Sequence, residues 1–467
     1  MDSTNITYAN PWPVFAIASL ATFLISIDST ILYTAFNNIA ASFPEANPVN
    51  ISWVMNAYTI VYATSLIPAG GIADKFGRKK VFLYGVGLFS LASLLCGLSS
   101  NIYLLIAARI LQALGAALLG PSSFSLILEA FPSSKRSQAI SAWGAVGALA
   151  AAIGPASGSF IVDTMGWEWA FFINMPVGAY CLLRGARILR ESANAHVHVR
   201  FDAFGMSLIM LAVSLLTTCI IEIKSGQLSL AQTGSMLILG LSALFAFILW
   251  CRKTAAPLID LKLFRNRTYS FVNMAAFLFS ITFATMFFSF FFFMTNIWHY
   301  TLPQAGLAIT PGPLTVIPVA IASGKIASRL GHRSLLITGC LLFACSALWY
   351  MLIPGVHPDY LMSWLPGQLL TGGAIGMVAP ALSAAAVHNL PMKDYAMGSA
   401  IHQAIRQIGT VIGVALTVTL LAHPFLRIED FHTLYQLQIV LVLAAILLVT
   451  QVDTKPRPVV KLAGNAS

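Results

Sequence analysis

The chain is 467 residues long, 58% hydrophobic and only 9% charged, with a mean hydropathy of +0.81. A soluble globular domain of that composition would leave most of its apolar surface in water, so the composition excludes that class and points to a polytopic membrane protein. The formal net charge of +10 is spread in small clusters between apolar runs, which argues against a nucleic-acid partner and reports orientation in a bilayer instead.

The N-terminus has no basic n-region and no small-residue cleavage site, so the first apolar stretch is expected to persist as a span. A hydrocarbon core of about 30 Å is crossed by about 20 helical residues. By that measure the apolar runs predict about fourteen helical spans, near 12–40, 49–70, 81–99, 102–130, 137–163, 168–190, 203–222, 232–251, 269–297, 302–328, 333–354, 359–388, 395–423 and 431–451. The fold class is therefore an all-α polytopic membrane protein. An even count puts both termini on one side. If that side is the cytoplasm, Lys75 to Lys80, Lys135, Arg136, Arg184 to Arg200, Arg252 to Arg267, Lys325 to Arg333, Lys393, Lys455, Arg457 and Lys461 all fall inside. Lys224 and Arg427 fall outside, and the positive-inside rule then sets both termini in the cytoplasm, with the cytoplasmic (inner) membrane as the location. Arg109 and Arg406 fit neither side, because they lie inside spans.

The first span carries Asp28 past its middle, and the fourth carries Arg109 at comparable depth in the outer half. A mid-membrane carboxylate costs about 2.5 to 3.5 kcal/mol, so Asp28 needs an interior site and a partner. Arg109 is the natural one. The pair reads either as a permanent structural ion pair or as a proton-coupling site in which burial and a nearby cation oppose each other. Gln112 is one turn from Arg109 and can hydrogen-bond a substrate or water.

Between spans 2 and 3 lies the densest charge run, GGIADKFGRKK at 70–80. Gly70 and Gly77 allow tight turns, Asp74 can meet a helix N-terminus, and Arg78, Lys79 and Lys80 hold the loop on the cytoplasmic face. An ordinary basic turn is the plain alternative. GKIASRLGHR at 324–333 can be laid over this stretch, matching Gly324, Ile326, Ala327 and Gly331, with Ser328 at the place of Asp74. The partition is then six, two and six: an N-terminal half over 1–200, two inserted helices over 201–262 and a C-terminal half over 263–467.

In span 5, Gly154 and Gly158 allow close helix approach and Pro155 removes a hydrogen bond where a bend is wanted, although a static small-residue contact would look the same. Span 9 is rich in phenylalanine, Phe287 among them, and reads either as a lipid-facing or packing surface or as an aromatic wall for a cation. Arg406 reads as packing or as a cavity-lining group. Glu129 and Glu222 lie near span ends, Glu222 being the outside candidate for a second proton site. The six cysteines have no C-x-x-C spacing and read as small core residues. His299, His388 and His402 match no metal spacing and read as helix-end polar residues, so no metal and no cofactor is expected. No nucleophile with a base and no phosphate loop occurs at usable spacing, which argues against an enzyme.

Six stretches carry a resemblance to one family, among them WEWAFFINMPVG at 167–178, which is similar to the entry into its helix 6. GGIADKFGRKK is similar to the loop between helices 2 and 3 of the major facilitator superfamily, and RILQALGAALLGPSS, with Arg109 and Gln112, to its helix-4 motif. IDSTILYTAFNNIA, with Asp28, resembles the acidic motif of fourteen-span drug:proton antiporters, and GAVGALAAAIGPASGSF their helix-5 motif. IRQIGTVIGVAL at 405–416 resembles their helix 13. Two departures stand out: Asn296 replaces the usual glutamine late in span 9, and span 10 has no acidic residue. The resemblance implies a major facilitator fold and proton-coupled export by alternating access, performed by a monomer on small hydrophobic substrates that are monocationic or neutral. The alternative is a transporter of one metabolite on the same fold.

Overall fold

The computed structural model describes residues 10–132, 135–192, 202–225, 228–255, 257–391, 395–421 and 426–454. All fourteen apolar stretches are helical, and among the described residues there is no strand. The first group comprises α1 (Trp12–Ser42), α2 (Pro48–Phe76), α3 (Arg78–Gly97), α4 (Ile102–Ala130), α5 (Arg136–Met165), α6 (Trp169–Phe172) and α7 (Asn174–Ile188). Then come α8 (Ala203–Ser225) and α9 (Leu230–Lys253). The last group comprises α10 (Arg267–Asn296), α11 (Leu302–Ile309), α12 (Pro311–Leu330), α13 (His332–Leu352), α14 (Leu365–His388), α15 (Tyr395–Leu421) and α16 (Ile428–Val449). Among the described residues, eleven helices are long and apolar enough to cross a membrane; α2 and α5, at 29 and 30 residues, match them in length. Lys393, Lys455, Arg457 and Lys461 lie outside the described residues, as does the side chain of Ser328.

Local chemistry sets the helix ends. Asn47 and Asn101 cap α2 and α4 by accepting from the N–H groups of Asn50 and Leu104, at 2.8 and 2.9 Å. Ser229 with Gln232, and Thr301 with Gln304, form capping boxes at α9 and α11. The stretch expected as one span over 302–328 is divided at Pro311, which has no N–H to continue the ladder. The stretch over 168–190 is likewise divided, into α6 and α7, and α14 is preceded by one π-helical turn over 360–364.

Packing repeats along the chain. In the first group α1 packs on α4, α5 and α7, while α3 and α2 pack on α4; in the last group α10 packs on α14, α15 and α16, while α13 and α12 pack on α14. The seams use the same device: Gly154 and Gly158 bring α5 against Thr30 and Ile31 of α1, and Gly409 and Gly413 bring α15 against the backbone of α10 at Phe277 and Ile281. Between the groups α5 meets α11 and α12, and α15 meets α2. The pair α8 and α9 leans on both groups, through α2 and α15.

Candidate substrate cavity and buried ion pair

Asp28 and Arg109 are 3% and 1% exposed, and the Arg109 Nη1 donates to Asp28 Oδ2 at 2.7 Å. Burial this deep makes every remaining lone pair and N–H count. Asp28 Oδ1 accepts from Gln112 Nε2 at 2.7 Å and from Asn174 Nδ2 at 3.1 Å. Both amides also donate to Ser93 Oγ, at 2.8 and 3.3 Å. Arg109 Nε donates to the Val54 carbonyl at 3.1 Å, Nη1 also donates to Gln112 Oε1, and the guanidinium lies 4.1 Å from the centre of the Tyr58 ring. Five helices, α1 to α4 and α7, therefore meet in one network around the Asp28–Arg109 pair.

Beside this network, between the two groups, lies a cavity of about 570 Å³. Thr22, Ser26, Ser29, Tyr33, Tyr58, Tyr62 and Arg109 line one wall. Phe279, Phe283, Phe287, Gln368, Gln403, Arg406, Gln407 and Thr410 line the other. Asp28 and Gln112 stand behind Arg109 and do not reach the lining. Two of the expected cavity residues are thus in it, Phe287 and Arg406, and two are not. Gln112 is held away by its bonds to Asp28 and Ser93, and Asn296 is exposed at the end of α10, bonded back to the Phe292 carbonyl at 2.9 Å.

One end of the cavity is closed by packing. The rings of Tyr33 and Phe36 on α1 meet Phe288 on α10 at 5.0 and 5.2 Å. Gly306 on α11 sits against the Pro155 carbonyl and Ser159 of α5, so that any side chain there would displace one of them. At the opposite end of the helices Gly77, at φ 107°, turns the chain from α2 to α3. Its open side is filled by the Glu191 carboxylate, which accepts from the N–H groups of Lys79 and Lys80 at 3.2 Å each. Gly331 repeats the turn at φ 78°, and there Thr454 Oγ1 accepts from the N–H groups of His332 and Arg333 at 3.1 Å each. Arg78 pairs with Asp74 at 2.8 Å and with Glu129 of α4. Gly70, by contrast, continues α2, beside Pro121.

A family profile described as Major Facilitator Superfamily matches residues 18–414 and 272–465. The chain belongs to that superfamily. An uncharacterized MFS-type transporter of Mycobacterium tuberculosis is 33% identical over 420 residues, 87% of this chain and 70% of that protein. Multidrug resistance protein Stp of the same species is 31% identical, over 86% of this chain and 74% of its own length. The tetracenomycin C resistance and export protein of Streptomyces glaucescens is 30% identical, over 88% and 76%. A crystal structure of the peptide transporter POT in complex with sulfate has the same fold, with a TM-score of 0.66, 94% of both chains covered and 17% identity. The chain is accordingly a multi-pass membrane transporter of the major facilitator superfamily and not an enzyme.

Several residues of this transporter's site carry no distinctive signal in the sequence. Asn174, Ser93 and Tyr58 look like the occasional polar residues of any span. His402, expected at a helix end, is instead buried within α15, with Nδ1 3.0 Å from Asn273 Oδ1. Gly306 lies in an eight-residue helix whose contact with α5 no spacing announces.

Proposed function

We infer that the protein exports hydrophobic small molecules in exchange for protons, as a monomer working by alternating access, and that Asp28 is the proton-coupling residue. The observation that carries this is the position of the Asp28 network directly behind Arg109 in the cavity wall. A substrate touching Arg109 can perturb the carboxylate without occupying its place. The names of the relatives, a multidrug resistance protein and a resistance and export protein, support small-molecule efflux as the direction. The recurring helix pairs and the paired Gly77 and Gly331 turns support two six-helix halves, with α8 and α9 as an inserted pair in a fourteen-span chain. With the basic turns on the cytoplasmic side, the packed end faces outward and the state described is inward-facing.

Neutral molecules suit this lining. A monocation would meet two guanidiniums and reach a carboxylate only if the Asp28–Arg109 pair opened. In an exchange of one proton for one neutral molecule, each pH unit supplies about 1.4 kcal/mol and each 100 mV about 2.3 kcal/mol.

The test is lumenal pH in energised inside-out vesicles. Addition of a transported compound should raise it, as protons leave in exchange, and compounds that enter without any proton efflux would overturn the coupling.

A further inference from the structure

The charged groups in the cavity lining are two arginines, and they are in different states. Arg109 is satisfied by Asp28, Gln112 and the Val54 carbonyl. Arg406, half-buried on α15, makes a single long hydrogen bond, to Gln403 Oε1 at 3.4 Å, and among the described residues it has no carboxylate partner. A guanidinium keeps its charge and offers five donors, so a substrate that displaces water from it must itself supply acceptors. No carboxylate lines the cavity among the described residues. Gln403, Arg406, Gln407 and Thr410 share one face of α15 at helical spacing and all reach the lining, which makes that face a polar strip. Beside it on the same wall, α10 packs on α15 and brings the rings of Phe283 and Phe287 to the lining as apolar surface.

We propose that Arg406 is the anchor for an anionic group, a carboxylate or sulfonate, on an aromatic or otherwise hydrophobic substrate, so that the cavity selects lipophilic monoanions over cations of the same shape. The inference deepens the efflux reading and rests on it for the word substrate. A carboxylate and a sulfonate each present a pair of oxygens to the guanidinium fork, which is why arginine rather than lysine suits the position. The glutamines on either side add donors, and the rings hold the apolar body. Exchange of a proton for a monoanion moves two charges per cycle, so export of such a compound would also respond more steeply to membrane voltage than export of a neutral one.

Three naphthalene probes separate the possibilities: naphthalene-2-sulfonate, 2-methoxynaphthalene and a naphthalen-2-yl trimethylammonium salt. Each is titrated calorimetrically into the full chain held in nanodiscs of phosphatidylcholine. The sulfonate should bind about tenfold or more tightly than the ammonium. Arg406→Gln should cost the sulfonate about tenfold and the neutral ether much less, while Arg406→Lys keeps part of the preference. Equal affinity for sulfonate and ammonium in the parent would overturn the proposal, as would an Arg406→Gln variant that weakens all three probes alike. Failure of the efflux reading is seen separately, as absence of proton exchange in vesicles while the order of binding stands.

Discussion

The side chain of Thr30 on α1 fills the place that a Cβ at Gly154 on α5 would need. The obstacle is a side chain and not backbone, and it lies on the seam where α5 packs on α1.

Gly154→Ala should cost about 1 to 3 kcal/mol of the packed state, through overpacking against Thr30. Shortening the opposing side chain should return part of it, because Thr30→Ala removes the Oγ1 but leaves the Cβ 2.7 Å from the added methyl, and the double substitution isolates that pairwise clash. The check is thermal unfolding in detergent for Gly154→Ala, Thr30→Ala and the pair. If the double variant is no more stable than Gly154→Ala alone, the contact is not what the glycine protects.

Gly77→Ala faces two obstacles at once: a backbone at φ 107°, and the Glu191 carboxylate lying over the glycine. Left-handed strain alone costs about 1 to 3 kcal/mol. Displacing Glu191 also uncaps the first turn of α3, at Lys79 and Lys80. A lowered melting temperature is expected, and Glu191→Ala combined with Gly77→Ala should recover only the steric part.

Asp74 shares Arg78 with Glu129, and through it ties the α2–α3 turn to α4. If these contacts are made in only one of the two access states, Asp74→Asn should slow turnover several-fold and leave substrate affinity close to that of the parent, since a latch acts on the balance of states. Transport rate and equilibrium binding measured on the same preparation decide it; unchanged turnover in a well-inserted variant would remove the latch.

Helix content and the Asp28–Arg109 pairing were legible from residues alone, because an acid and a base at comparable depth inside apolar spans are rare and lower the cost of burial for each other. The turn at Gly77 was legible beside its basic cluster, and Gly331 through its match to the same stretch, whereas Gly70, read in the same way, continues α2. What stayed hidden was facing. Gln112 and Arg109 share a helix face one turn apart, yet one is sealed against Asp28 and the other reaches the cavity. A difference of that kind is set by neighbours on α3 and α7, which sequence spacing does not convey. Asn296 is polar and near a span end, and its position gave no sign of whether it turned inward or out.

The sharpest expectation concerns Asp28, because most of its competitors are disqualified by chemistry or by place. Arginine does not titrate in range, and Asp74 and Glu129 are engaged with Arg78 at the turn. Glu222 is buried but belongs to α8 and does not line the cavity, and His402 lies behind the lining. Asp28 is joined to the wall directly, through one hydrogen bond from Arg109. Asp28→Asn keeps the shape and fixes the uncharged form, leaving Arg109 without its counter-charge but still able to bond the amide oxygen and the Val54 carbonyl. Substrate-induced proton release and uphill export should both vanish in a protein that still folds and inserts, and Asp28→Glu should retain part of each. The measurement is proton release from detergent-solubilised protein on substrate addition. An Asp28→Asn variant that releases protons as the parent does would reduce Asp28 to a structural partner of Arg109, and His402, one turn from Arg406, would be the next residue to change.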